Sequence, residues 1–167
     1  QRMTLAWKRA IASDSGATFA FTKPTDNNIL FCGCISAWRG AITSVTPIDA
    51  TTPTTSANAS SDTVSYVSFN PTETEAFVVA VGVYNQDLTT AGAISGTNPS
   101  FTNRWDLETA TGSDGSIFGY EGASDGAATG ARSHSTSSTA DDVNIGCLFG
   151  LIAAPPSSGR NFSVVIA

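Results

Sequence analysis

The chain has 167 residues and a formal net charge of −6, with 41% hydrophobic and only 13% charged residues. This composition is too apolar and too weakly charged for a disordered tail, and the length corresponds to one domain. Only eight Lys and Arg residues are present and they are scattered, so no basic stripe for nucleic acid is predicted. No run of 18 apolar residues occurs, and we expect neither nucleic acid nor a membrane as a partner.

Apolar and polar residues alternate in segment after segment, a period that is typical of half-buried β-strands. The first two segments span residues 3–8 and 17–22, and a Ser/Asp/Gly turn at residues 13–16 joins them into a predicted hairpin. The next run, residues 29–39, is apolar on both faces. We therefore expect a central strand there, covered on both sides.

Further strands are predicted at residues 63–69, 76–84, 104–110, 116–120, 142–153 and 161–167. Stretches rich in Ser, Thr, Gly and Pro predict three long loops, at residues 44–62, 85–103 and 121–141, the last one mobile or ordered by a partner. No window shows the period of an amphipathic helix. The sequence therefore predicts one all-β domain over residues 1–167, an antiparallel β-sandwich or jelly roll with three long loops.

His134 is the only histidine, so a Ser-His-Asp triad would have to use it. It lies in a Ser-rich stretch of a predicted loop, whereas a catalytic base must be held within fractions of an ångström. The sequence also lacks the Gly-x-Ser-x-Gly motif of a nucleophile elbow. We therefore interpret His134 as a solvated loop residue and predict no catalytic residues.

Two groups of residues were weighed as metal ligands. Cys32, Cys34 and Cys147 with His134 would supply four ligands, but their spacing does not match the usual zinc patterns. The adjacent acids Asp141–Asp142 could bind calcium, but no EF-hand spacing surrounds them. Turn roles for the acids and buried, reduced thiols for the cysteines explain these residues better, so we predict no metal and no cofactor.

Asp106 and Glu108 form the one plausible pair of catalytic acids. On a predicted strand they share a face about 7 Å apart, because side chains alternate along a strand. A jelly-roll glycoside hydrolase could use such a pair as acid and nucleophile or base. A solvated strand face is the simpler interpretation, and we prefer it.

The three tryptophans, Trp7, Trp38 and Trp105, could serve as stacking platforms for sugars. Two of them lie inside strands that are rich in other apolar residues. For these two we expect packing in the core rather than contact with a ligand.

Several strand sequences together carry a family resemblance. They are Thr-Leu-Ala-Trp-Lys-Arg-Ala at residues 4–10, Gly-Ala-Thr-Phe-Ala-Phe-Thr at 16–22, Ser-Ala-Trp-Arg-Gly at 36–40, Glu-Ala-Phe-Val-Val-Ala-Val at 75–81 and residues 114–121. With the Pro/Thr-rich stretch between them, this order resembles β-sandwich domains in virion proteins of tailed bacteriophages and prophages. The resemblance covers most of the chain and implies a decoration, head-fibre or tail-fibre module, with no catalytic residues to carry over.

The chain departs from that family at its beginning. Such domains usually have one or two further strands ahead of the strand that contains Trp7. Either those strands are missing from this chain, or a neighbouring subunit completes the sheet, since an unpaired sheet edge can be covered by another chain.

The sequence thus predicts a non-enzymatic structural virion protein that is displayed on the particle surface. Its expected partners are copies of itself, other virion proteins or both. The main alternative is a lectin-like module that binds host-surface glycans through the three loops, if these cluster at one end. A glycoside hydrolase that uses Asp106 and Glu108 is the third hypothesis.

Overall fold

The computed structural model describes residues 3–22, 32–42, 46–49, 53–74, 76–85, 92–108, 115–136, 141–154 and 163–166. In these stretches the regular structure is β, apart from one 3-10 turn at Ala12–Asp14, and every ladder is antiparallel. The predicted all-β, antiparallel fold class is confirmed. None of the described residues forms a helix long and apolar enough to cross a bilayer.

The described strands, in chain order, are β1 (Trp7–Arg9), β2 (Ser36–Arg39), β3 (Thr54–Ser61), β4 (Thr63–Tyr66), β5 (Phe77–Tyr84), β6 (Thr102–Glu108), β7 (Ser116–Ala123), β8 (Arg132–Ser135), β9 (Asp142–Leu151) and β10 (Ser163–Ile166). Five of them form the central sheet, in the order β3-β9-β5-β7-β6. β4 and β8 form a two-stranded ribbon, and β1-β10-β2 form an outer sheet.

The centre of the molecule is β5, which pairs with β9 on one side and β7 on the other. Its residues are apolar on both faces, and side chains of both parities are buried. β-branched residues favour this position because they fit a pleated surface that is packed on both sides. The strand covered on both faces is therefore β5.

Two clusters of side chains cover the two faces of the central sheet. The first lies under the ribbon and consists of Val64, Tyr66, Phe69, Val78, Ala80, Tyr84, Ile94, Phe118, Tyr120 and Leu148. The second lies on the opposite face and consists of Ala41, Val79, Val81, Cys147, Phe149 and Leu151, with Met3, Trp38, Ile48, Phe77, Trp105 and Ile117 packed against it. Successive side chains of a strand point to opposite faces of the sheet, so the position of a residue in its strand decides which cluster it joins.

The prediction of a central strand at residues 29–39 is wrong in its described part. Residues 32–35 form no strand, and β2 is only four residues long. β2 lies at an edge of the outer sheet, where its side chains alternate between half-buried and exposed. Residues 29–31 of the predicted strand lie outside the described residues.

All three predicted loops contain strand residues, although the second contains only residues 102–103 at the start of β6. Residues 44–62 include β3, which begins directly after Pro53 and forms an edge of the central sheet. Residues 121–141 include the end of β7 and all of β8. An edge position suits a Thr/Ser/Asn strand, because its polar side chains reach solvent or bond to neighbouring backbone, as Thr54 Oγ1 does to the Val67 carbonyl at 2.9 Å.

Between β7 and β8, the third predicted loop is held by contacts with the chain itself. Thr129 is buried, its Oγ1 accepts a hydrogen bond from the Phe69 amide at 2.9 Å, and its own amide donates to the Phe69 carbonyl at 2.8 Å. In the second predicted loop, residues 92–95 run beside β8, where the Ser95 amide donates to the Ser133 carbonyl at 2.9 Å. In the described part of residues 121–141 these contacts come from the chain itself, whereas the sequence predicts a segment that is mobile or ordered by a partner.

A buried amide fixes the corner between β3 and β4. Asn144 is fully buried, and its Nδ2 donates to the Ser61 carbonyl at 3.1 Å and the Thr63 carbonyl at 3.3 Å. Its Oδ1 accepts a hydrogen bond from Asn58 Nδ2 at 2.8 Å. These bonds lie beside the point where the ladder between β3 and β9 shifts register, between Asn58 and Ser61.

Candidate interaction surface

Four large apolar side chains protrude from residues 3–22, which we call the N-terminal segment. Leu5, Trp7, Ile11 and Phe21 are each between 37% and 59% exposed. The other exposed large hydrophobic residues of the described chain, Ile35, Val67 and Leu107, lie in three separate parts of the sequence. Single exposed apolar residues are ordinary, whereas four within 20 residues indicate a contact surface.

A charged turn sets the shape of this segment. The Asp14 carboxylate accepts hydrogen bonds from Lys8 Nζ at 2.5 Å and from the Ile11 amide at 2.9 Å. Both bonds favour the ionised form, so the pKa of the Asp14 carboxyl is lowered, with Lys8 as the larger cause. Lys8 Nζ also lies 5.3 Å from the centre of the Phe19 ring, so the chain passes close to β1 again after the turn.

The predicted hairpin is therefore only partly correct. The turn is present, but residues 17–22 are not assigned as a strand. β1 pairs instead with β10, with Trp7 opposite Ile166. Antiparallel pairing of β1 and β10 joins the two ends of the described chain in one sheet.

The segment contacts the rest of the described chain through β1, Met3 and Arg9. β1 pairs with β10, Met3 packs against the second cluster, and Arg9 Nη2 donates to the Ile42 carbonyl at 3.5 Å. None of the four protruding side chains belongs to either core cluster. Their apolar surface is consequently available to another molecule.

The charge of the segment is opposite in sign to that of the whole chain. Residues 3–22 carry two basic residues and one acidic residue, whereas the remaining sequence carries six basic and thirteen acidic residues. Lys8 is 52% exposed even though it contacts Asp14. A negatively charged surface, including that of a second copy, is therefore attracted to this segment.

His134 is not a solvated loop residue, so that interpretation is wrong. It lies in β8 with 2% exposure, and its ring packs against Tyr66, Phe118 and Tyr120 under the ribbon. Burial lowers the pKa of His134 to about 4. Among the described residues, the ring contacts and the hydrogen bond of His134 involve no Ser, Cys, Asp or Glu side chain. No catalytic triad is therefore seen around it.

The proposed metal ligands are not brought together either. Cys147 belongs to the cluster on the opposite face of the central sheet from His134, and burial raises the pKa of its thiol to about 11. Cys32 and Cys34 are half-buried, and all three cysteines are free thiols. No group of three potential metal ligands occurs among the described residues.

Asp106 and Glu108 lie on the same face of β6, as their spacing predicts. Asp106 is half-buried and Glu108 is exposed at the end of the strand. β6 is an edge of the central sheet. An open pocket of about 210 Å³ lies elsewhere, beside Trp38 and Phe77, and neither acid lines it.

The expectation of core packing for tryptophans in apolar-rich strands holds for Trp38 but not for Trp7, which is 42% exposed. Trp38 and Trp105 both pack against the second cluster. Trp38 Nε1 donates to Glu121 Oε2 at 2.8 Å, and Glu121 also pairs with Arg104. Trp105 Nε1 donates to Ser36 Oγ at 2.5 Å, so the two rings hold β2 against β6 and β7.

Sequence reasoning missed the polar groups that β8 buries. Arg132 is 6% exposed, and its guanidinium donates to the Asn98 carbonyl and, at 2.7 Å, to the Ser95 carbonyl. Arg132 and His134 are two residues apart and lie on the same face of β8, with small serines at the positions between and after them. That alternation is the strand signal that the composition of the stretch concealed.

Comparison of the chain with family models, with curated proteins and with solved structures found no match.

Proposed function

We propose that this protein is a non-enzymatic structural module that acts by assembling with copies of itself through the N-terminal segment. The observation that carries the proposal is the set of four exposed apolar side chains on residues 3–22. The positive charge of this segment on an otherwise acidic chain makes a second copy a suitable partner.

The expected strength of one such contact is low. Full burial of a large apolar side chain contributes about 1.5–3 kcal/mol, and these four are already partly covered. Association itself costs several kcal/mol of rotational and translational freedom. A single contact is therefore weak, and stable assembly requires that it be repeated in a closed ring or a lattice.

The family resemblance supports a more specific role, a surface module of a tailed-phage virion. Decoration and fibre proteins act by repeated subunit contacts, and low charge density limits repulsion between copies that are packed closely. The lectin-like alternative has less support, because two of the three loops it would use contain β3 and β8.

Assembly is tested by measuring mass in solution over a range of concentrations, by light scattering after gel filtration and by sedimentation. The parent chain should form oligomers. The double variant Trp7→Ser/Ile11→Ser should assemble at least tenfold more weakly, because it removes two of the four apolar contacts. High salt should weaken assembly of the parent as well, since charge attraction is screened.

The matched control is the double variant Val67→Ser/Leu107→Ser, which removes two equally exposed apolar side chains outside the segment. It should assemble like the parent. A parent chain that stays monomeric at all concentrations, or two double variants that weaken assembly equally, would contradict the role of the N-terminal segment.

The virion assignment is tested separately on phage particles that are purified from the source culture on a density gradient. Quantitative mass spectrometry should find this chain in the particle band, at a fixed copy number relative to the major capsid protein. Failure to co-purify would refute the virion location and leave the assembly result unaffected.

A further inference from the structure

Side-chain packing, together with the hydrogen bonds from Asn58 and Asn144 to the Thr63 carbonyl, attaches the β4–β8 ribbon to the central sheet. Its two strands pair with each other, with Val64 opposite His134 and Tyr66 opposite Arg132. In the described chain no ladder joins the ribbon to the central sheet. Val64 and Tyr66 pack in the first cluster, and the His134 ring meets the rings of Phe118 and Tyr120 on β7.

His134 is enclosed by aromatic rings at this junction. Its ring centre lies 4.6 Å from that of Phe118 in an edge-to-face arrangement, 5.5 Å from that of Tyr120 and 5.8 Å from that of Tyr66. With 2% exposure, the imidazole has almost no contact with water. Such a site favours the neutral ring, because burial of an unpaired charge is costly.

The hydrogen bonds of the ring also suit the neutral form. Nδ1 lies 3.2 Å from Tyr66 Oη, and Nε2 has no hydrogen-bond partner among the described residues. An imidazolium donates from both nitrogens and needs two acceptors, of which this site supplies one at most. Protonation would therefore leave a charged N–H buried without an acceptor.

Among the described residues, the groups found around the His134 ring offer no compensating negative charge. β4 presents the Tyr66 hydroxyl, whose pKa burial raises well above 10, and β7 presents Tyr120, whose pKa burial raises to about 12. β8 itself carries the Arg132 guanidinium two residues away on the same face. The charge of Asp106 on β6 also raises the pKa of Tyr120, and that of Cys147 on β9 raises the pKa of Tyr66. The lowered pKa of His134 is caused by desolvation.

We propose that His134 makes the ribbon an acid-sensitive element, in which proton uptake by the buried ring releases β4 and β8 from the central sheet. Release exposes the aromatic face formed by Phe118 and Tyr120. This inference is independent of the N-terminal segment and goes beyond the proposed assembly, because it assigns a conformational response to the fold.

The direction of the pH effect follows from the two states of His134. In the closed state its pKa is about 4, whereas the released, solvated ring has the ordinary value of about 6.5. Between these values the released state binds a proton that the closed state does not. Release is therefore favoured as the pH falls from about 6.5 to 4, by up to about tenfold for each pH unit and towards a limit of roughly 300-fold at lower pH.

Hydrogen exchange of the intact chain, followed by mass spectrometry at pH values from 7 to 4 and corrected for intrinsic rates, tests the proposal. The opening equilibrium of peptides covering β4 and β8 should rise steeply in this interval, while β5 and β9 stay protected. Because the chain has one histidine, its C2 proton in an NMR titration reports the site without ambiguity. The closed form should show no titration near pH 6.5.

The variants His134→Phe and His134→Gln remove the charge while filling the site with an aromatic ring or a polar amide. Either one, provided that it folds, should lose the pH dependence of ribbon opening between pH 6.5 and 4. Transitions that arise from carboxylates should persist in both variants. The proposal is overturned if a folded variant opens with the parent's pH dependence, or if the parent's histidine titrates near 6.5 with the ribbon still protected.

Discussion

Truncation of Phe118 to alanine should destabilise the protein by about 3–5 kcal/mol, as expected for a large aromatic side chain removed from a fully packed site. Phe118 is fully buried on β7, and its ring contacts those of Tyr120 and His134. Gly82 on β5 allows the close approach, because a Cβ there would lie 2.0 Å from Phe118 Cε2. The neighbouring backbone is held in the central sheet, so the cavity cannot easily collapse.

Chemical denaturation with a constant slope measures this loss as a lower midpoint. The control is Leu107→Ala on the adjacent strand β6, where the side chain is 41% exposed and the expected change is within about 0.5 kcal/mol. A domain is typically stable by about 5–15 kcal/mol, so the Phe118 variant should lose a substantial fraction of its free energy of unfolding. Equal midpoints for the two variants would show that the first cluster is not the stabilising core.

The strands that could be predicted from the sequence are those that are themselves rich in apolar residues. The prediction of residues 76–84 matches β5, and the prediction of residues 142–153 matches β9 to within two residues. Both are rich in apolar and β-branched residues, which favour extended structure wherever the chain places them. Their central position in one sheet follows from the same property.

The strands that were missed owe their order to distant residues. β3 is composed of Thr, Ser, Ala and Asn and is held by β9, which lies more than 80 residues further along the chain. β8 is held by β4, and His134 reaches Tyr66 across 68 residues. A local pattern cannot reveal such partners, so polar composition was interpreted as loop. Tertiary pairing overrides local propensity in both strands.

The candidate interaction surface was only half predictable. Alternation of Leu5, Trp7 and their polar neighbours correctly indicated a β-type segment, and a strand is present at Trp7–Arg9. Alternation does not distinguish a face that packs inside the chain from one that remains exposed, because both require the same apolar residues. Trp7 lies on β1, an edge strand of the outer sheet, and a local pattern does not reveal that position.

Gly146→Ala should destabilise the protein by about 3 kcal/mol and should act mainly on the ribbon. Gly146 on β9 lies directly opposite Gly82 on β5, and both lie beneath β4. A Cβ at position 146 would lie 2.1 Å from the Ser65 backbone carbonyl and 2.9 Å from Tyr66 Cδ1. A backbone carbonyl cannot rotate away like a side chain, so β4 itself would have to move. The expected loss of stability therefore lies at the high end of the free-energy cost of overpacking.

The matched control is Gly130→Ala, where a Cβ meets no atom within 4 Å but the backbone has a φ of +69°. It should cost about 1 kcal/mol through backbone strain alone. Denaturation should separate the two variants, and hydrogen exchange should show that Gly146→Ala loses protection first in β4 and β8, with β5 and β7 affected less. Gly82 and Gly146 together leave the space in which the Tyr66 side chain lies. An unchanged denaturation midpoint for Gly146→Ala would therefore mean that the ribbon does not pack against the central sheet in solution.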